Sequence, residues 1–415
     1  MHALGDTVAA VEVAGERTDS QGVVQAARAS SRSSALVAAD RYRELGLLGE
    51  GGMGRVTRVR DVDLMRELAV KRLRPELRGD HRLLRQFLWE ARVTAYLDHP
   101  NIVPLHDLAL SGDDELFFTM KFVDGIALDD AIAQLREEGA KRSATAEELT
   151  LPRRLRLFVQ LCRAIEFAHD RGVLHRDLKP ANIMLGEHGE LLVMDWGLAC
   201  PLPGPEGETL RHVMPEGEGG AAFGSLSGTP LYMSPEQAQG QELDARSDVY
   251  TLGVILYELV ALTRPYSGAT ISEVLLRVTE GERTPLAEAA PKVSPSLVAV
   301  VERAMAREPG ERYASVRALR EDLEIVLDGG TPGAEVVSLV TRVERFYERE
   351  RNPWLAALRL KDFELLIFAS SLLGAGVALV IVSVTWIGVG LLIVAIALGL
   401  IVQIAWFRRL RASRR

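Results

Sequence analysis

Two short stretches concentrate the side chains able to do chemistry. Val173-Leu-His-Arg-Asp-Leu-Lys-Pro-Ala-Asn-Ile-Met-Leu185 carries Asp177, Lys179 and Asn182, and Leu191-Leu-Val-Met-Asp-Trp-Gly-Leu198 carries Asp195. A carboxylate such as Asp177 can orient an attacking hydroxyl and accept its proton. Asn182 and Asp195 offer hard oxygen donors of the kind Mg²⁺ takes alongside phosphate oxygens. Lys179 would place positive charge where a transferring phosphoryl group sits. Apolar, strand-like pieces bound both stretches, and chance placement on a surface does not account for all four groups together.

Two upstream features could position such a site. Gly49, Gly51 and Gly54 fall at G-x-G-x-x-G spacing, which lets a backbone approach phosphates closely. Glycine-rich turns are common, and a dinucleotide-binding fingerprint would need a helix directly after the third glycine. Here Arg55-Val-Thr-Arg-Val-Arg60 alternates polar and apolar, so the glycines are expected in a β-hairpin. Lys71 is embedded in Leu68-Ala-Val-Lys-Arg-Leu73, although most strand lysines are simply solvated. A helix is expected from Leu83 to Leu97, with apolar residues at 83, 84, 87, 88, 91 and 95. Glu90 adjoins that stripe. Either it is an ordinary surface glutamate or it reaches inward to hold Lys71 as a phosphate-binding ammonium.

With Gly228-Thr-Pro-Leu-Tyr-Met-Ser-Pro-Glu-Gln237 added, these motifs resemble, in order, the eukaryotic-type (Hanks-type) serine/threonine protein kinases of bacteria. The resemblance implies an α+β, bilobal protein kinase fold over residues 41–328, with a small β-rich N-lobe and a larger helical C-lobe. It further implies transfer of the γ-phosphate of ATP to serine or threonine hydroxyls of protein substrates, with Mg²⁺, or Mn²⁺ as a substitute. Asp177, Lys179, Asn182 and Thr229 would form the catalytic set, with Asn182 and Asp195 holding the metal. Gly49, Gly51 and Gly54 would cover the phosphates, and Lys71 would contact them and pair with Glu90. Met120 would line the back of the adenine pocket, with the backbone of Lys121 and Val123 bonding the base. Leu48, Val56, Ala69 and Met184 complete the implied nucleotide-binding set. The likeness also implies a buried Glu236–Arg312 ion pair and an Asp248 that braces the catalytic loop. Lys179, two residues after Asp177, matches serine/threonine-specific rather than tyrosine-specific members.

The chain departs from the pattern in places. Trp196 stands where phenylalanine is usual, as another large aromatic for the same apolar slot. The segment 195–236 is lengthened by an insert, Pro201–Gly228, rich in Pro, Gly and Glu and expected to have no core of its own. Arg176 before the catalytic aspartate goes, in the family, with activation by loop phosphorylation. Autophosphorylated Ser225 or Ser227 is the expected partner for it.

Composition bounds the rest. The 49 Lys+Arg and 57 Asp+Glu give −8, yet five arginines crowd the last eight residues. Without those eight the balance is −13, which disfavours a general nucleic-acid binder. Cys162 and Cys200 are too few for a disulfide framework or a cysteine-based zinc site. Residues 1–40 read as a disordered tail without a signal peptide, and 329–362 as a juxtamembrane linker and helix. From Leu365 to Phe407 no residue is charged. One bilayer crossing takes about 20 residues, so two transmembrane helices are expected over 363–407, turning near Val382–Gly390. Arg349, Arg351, Arg359, Lys361 and the basic tail at 408–415 then put both ends in the cytoplasm of a multi-pass membrane protein with no extracytoplasmic sensor. Gly374, Gly376, Gly388 and Gly390 would permit helix packing in a homodimer. Two alternatives are a catalytically weak pseudokinase scaffold and a transporter with a regulatory domain. The first conflicts with the presence of Lys71, Asp177, Asn182 and Asp195, the second with a hydrophobic stretch that lacks ionisable residues.

Overall fold

The alternation after the glycines does produce the hairpin: β1 (Tyr42–Glu50) pairs antiparallel with β2 (Gly54–Asp61), which pairs with β3 (Arg66–Leu73). The computed structural model describes residues 41–111, 115–138, 149–205, 207–208, 210, 228–334 and 398–400. With β4 (Leu105–Leu110) and β5 (Leu116–Lys121) the sheet runs β1-β2-β3-β5-β4. Its two faces carry separate apolar clusters. Val59, Leu68, Val70 and Phe117 share one. Ala69, Leu73, Phe118 and Met120 share the other with Phe87, Leu88 and Ala91 of α1 (His81–Tyr96). Each side chain the size of Phe87 or Leu88 contributes roughly 2 kcal/mol by leaving water. Asp80 starts α1 by accepting from the amides of Arg82 (2.9 Å) and Leu83 (3.2 Å).

The stripe expected on α1 is shifted. Ala95 is exposed and Leu83 only half-buried, while Trp89 and Val93 are buried and belong to the core of the helical lobe. The helix thus serves two cores, one on each side, which a single-stripe reading does not anticipate.

After β5, residues 122–124 lead to β6 (Gly125–Ala127), α2 (Leu128–Glu138) and α3 (Leu151–Asp170). Next come β7 (Val173–Leu174), β8 (Ile183–Gly186), β9 (Leu191–Val193) and β10 (Cys200–Pro201). Strands β6, β8 and β9 form a small sheet, and β10 pairs with β7. The helical lobe continues with α4 (Pro235–Ala238), α5 (Ala245–Ala261), α6 (Ile271–Glu280), α7 (Leu286–Ala289), α8 (Pro295–Ala304) and α9 (Val316–Leu327). Helix α5 is its axis, buried at every residue from Ser247 to Val260.

One expectation changes. Leu202 and Leu210 of the insert are buried, Leu210 within the main core, so its first part does have a core to join. Gly333 and Ala334 donate their amides to Asp322 of α9 at 2.8 and 2.9 Å, which ties the chain after residue 328 to this helix. A second compact unit is Val336–Arg415, in which Leu398–Leu400 is helical. Among the described residues no helix is long and apolar enough to cross a membrane. The tail at 1–40, Ser225, Ser227, most of 363–407 and the basic segment 408–415 lie outside the described residues.

Candidate active site

The chain turns tightly around Asp177. Short β7 delivers His175 and Arg176, and a 3₁₀ turn at Pro180–Asn182 follows. Arg176 has φ 70°, a left-handed conformation that costs a non-glycine residue energy. Asp248 holds it there, accepting from the amides of His175 (2.9 Å) and Arg176 (3.2 Å) and contacting His169 Nε2 at 2.8 Å. Burial works against the charge on Asp248, but His169 and His175 outweigh it and hold the carboxyl below its ordinary 3.8. The expected brace is present as geometry.

Asp177 itself is fastened on two sides. Lys179 Nζ donates to Oδ2 at 2.6 Å, and Thr229 donates to Oδ1 through its amide (2.9 Å) and hydroxyl (3.1 Å). Lys179 also donates to Thr229 Oγ1 at 3.0 Å. Thr229 arrives from far along the chain because Gly228 takes φ +121°, a region open to glycine. A Cβ there would meet Gln237, the Arg176 carbonyl and Asp177 at 3.2–3.4 Å. Gln237 Nε2 donates to that carbonyl at 2.7 Å, a link no sequence motif signalled.

Asn182 Nδ2 donates to the Asp177 carbonyl at 2.9 Å, which leaves Oδ1 as the acceptor it can offer. Asp195 is exposed to the cleft and, like Arg176, left-handed, at φ 59°. The protein packed round its carboxyl works against ionisation. Lys71, His175 and the Gly197 amide more than offset this, so it sits below the ordinary 3.8. A carboxylate plus a carboxamide oxygen suits Mg²⁺, which draws its remaining ligands from phosphates and water, and among the described residues no set of three or more metal-ligating side chains competes for that role.

Lys71 reaches from β3 to Glu90 on α1, Nζ to Oε1 at 2.5 Å, with side chains only 13% and 4% exposed. Burial pushes the Glu90 carboxyl up to about 7 against the pull of Lys71, with Asp195 adding to the rise. On Lys71 burial acts downward, but Glu90 and Asp195 outweigh it, so the ammonium lies above its ordinary 10.5 and is the charged anchor of the pair. Two further contacts, which the motifs did not disclose, fix α1. Trp89 Nε1 donates to the Ala199 carbonyl at 2.8 Å and Gln86 Nε2 to the Gly197 carbonyl at 3.1 Å.

Of the expected nucleotide-binding residues, Ala69 and Met120 share one buried cluster, with Val56 and the unanticipated Met194 packed against it. Val123 is buried at the end of the connection, and Leu48 (exposed) and Met184 (half-buried) lie outside that cluster. The Lys121 amide already donates to the Pro104 carbonyl at 3.0 Å, so of the Lys121 backbone a base could use the carbonyl but not the amide. Gly49, Gly51 and Gly54 bound the hairpin turn, where the Gly51 amide donates to the Gly54 carbonyl at 2.9 Å. Trp196 is fully buried against His175, centroids 4.4 Å apart, and fills the expected slot. The Glu236–Arg312 pair forms, buried, with Nη1 to Oε1 at 2.7 Å and Nη2 to Oε2 at 2.8 Å.

Comparison with known sequences agrees with this geometry. The profile of the protein kinase domain family matches residues 42–323. The serine/threonine-protein kinase PknD of Protochlamydia amoebophila is 34% identical over 328 residues, covering 77% of this chain and 33% of that protein. Its namesakes from Chlamydia pneumoniae and Chlamydia caviae are 36% and 35% identical, covering 70% and 73% of this chain and 31% and 33% of theirs. The chain therefore spans about a third of the length of these relatives.

Proposed function

The chain belongs to the protein kinase family, and we propose that it transfers the γ-phosphate of ATP to serine and threonine hydroxyls of proteins. The observation that carries this reading is the Asp177 carboxylate held between Lys179 and Thr229. Asp177 accepts the proton as the substrate oxygen bonds to the γ-phosphorus and the bond to the β-phosphate oxygen breaks, releasing ADP. Lys179 counters the negative charge that builds on the transferring group. Lys71, aimed by Glu90, holds the phosphates from the other side, and Met120, Ala69 and Val56 offer the base an apolar wall. Asn182 and Asp195 are the ligands for Mg²⁺, which when bound neutralises phosphate charge.

The test is transfer of labelled γ-phosphate to a generic protein substrate with Mg²⁺ or Mn²⁺. Asp177→Asn is expected to lose about 100-fold or more in rate while melting close to the parent, and the label should be recovered on serine and threonine. Equal rates in parent and variant would overturn the reading.

Further parts of the proposal rest on sequence. The uncharged stretch 365–407 tethers the domain to a membrane as a hairpin, and Ser225 or Ser227 is a target of autophosphorylation that pairs with Arg176. Resistance of the protein to alkaline extraction from membranes tests the first. Equal activity of parent and a Ser225→Ala/Ser227→Ala double variant would remove the second.

A further inference from the structure

A cleft of about 730 Å³ opens on the helical lobe beside Thr229, walled by Arg136, Leu231, Arg264, Tyr266 and Ile271. Thr229 belongs both to this wall and to the Asp177–Lys179 cluster, so the cleft begins where an accepting hydroxyl must sit. Among the described residues no carboxylate lines it. The acidic group beneath it is Glu258 of α5, only 2% exposed and already engaged. Its Oε1 accepts from Arg136 Nη2 at 2.5 Å and faces Arg264 Nε at 3.4 Å, while Oε2 accepts from the Tyr232 hydroxyl at 2.6 Å. Arg136 Nε donates to the Leu262 carbonyl. Glu273, on α6 next to the cleft, is spent on the Ala269 amide and on Arg277, both at 2.8 Å. Two guanidiniums over one buried carboxylate leave net positive charge, and their side chains remain 34% and 46% exposed.

We propose that this cleft receives an anionic side chain of the protein substrate, a carboxylate or a phosphorylated residue near the accepting serine or threonine, and so selects acidic sequences. The inference rests on the phosphotransfer reading above and names its substrate class. A substrate cation would meet two like charges and a carboxylate already bonded, whereas an anion gains charge-assisted hydrogen bonds from arginines held in place by Glu258.

The experiment uses the full chain and peptides of one sequence around a fixed serine, with alanine, aspartate, phosphoserine or lysine placed in turn at each flanking position. At one or more positions on one side of the serine, aspartate is expected to raise kcat/KM over alanine about five- to tenfold, with lysine below alanine and the advantage shrinking as salt rises. Aspartate and phosphoserine arms separate a carboxylate occupant from a phosphate. Arg264→Ala should flatten the preference and Arg264→Glu should invert it in favour of lysine. Because each readout is a ratio within one enzyme, a general loss of activity cancels. Equal kcat/KM for the four residues at every position, or an acidic preference unchanged in Arg264→Glu, overturns the inference and leaves the kinase reading standing. A parent that labels neither peptides nor a generic protein fails both.

Discussion

Replacing Arg312 should be among the most damaging single changes in the helical lobe. A guanidinium has five N–H donors, and here each meets an acceptor. Nε donates to Ala306 O (2.7 Å), Nη1 to Glu236 Oε1 (2.7 Å) and Arg246 O (3.0 Å), and Nη2 to Glu236 Oε2 and Arg307 O (both 2.8 Å). The side chain is 0% exposed and lies over the Tyr250 ring at 4.8 Å. Arg312→Met keeps apolar bulk but strands Glu236, which costs about 3–5 kcal/mol on its own, and frees three carbonyls besides. For a domain of this size each kcal/mol is worth about 2–4 °C, so the melting temperature should fall by about 6–20 °C. Arg312→Lys preserves charge but has only three donors without a planar fork, and about half that loss is expected. Thermal melts of parent, Arg312→Lys and Arg312→Met, read by circular dichroism, check the order. A Met variant melting within about 2 °C of the parent would refute the reasoning.

Other expectations follow from the same geometry. A Cβ on Gly54 would lie 2.6 Å from the Arg72 carbonyl, whereas one on Gly52 meets nothing within 4 Å. Gly54→Ala should therefore raise the KM for ATP about tenfold and Gly52→Ala less than about twofold, as measured by ATP titration. Trp89→Phe keeps the ring but leaves the Ala199 carbonyl without its donor, so urea denaturation should show a loss of about 1–3 kcal/mol. Burial pushes the Glu236 carboxyl up, but bonds from Arg312 and Ser247 more than offset it and hold it below the ordinary 4.5. Its contribution is thus complete above pH 4.5 and is lost as pH falls through the lower, folded-state value. Urea midpoints followed from pH about 6 to about 3 should decline steeply for the parent and more gently for Glu236→Gln.

What the chain announces in its order of residues is local. The period-two run after Gly54 is a strand, the apolar stripe from Leu83 gives a helix, and the run carrying Asp177 and Asn182 offers the groups that the proposed phosphoryl transfer needs. Each depends on neighbours within a few residues, where backbone geometry alone sets which side chains share a face. Lys71 and Glu90 were legible as a pair only as one of two readings, since strand and helix periodicity leave both with ordinary solvated alternatives. The remaining decisions were tertiary. Trp89 and Val93 turn to the second core because the residues just before β10, Trp196 to Ala199, pack against α1. Leu210 anchors part of a segment whose composition reads as loop. Arg136 and Arg264 become a cationic wall only because α2 and the turn after α5 both converge on Glu258. A pairing such as Arg136 with Glu258 joins residues more than a hundred positions apart, and no short-range pattern encodes it. The packing of buried helices chooses which polar groups are shut away together, and the need to satisfy each of them selects the partner.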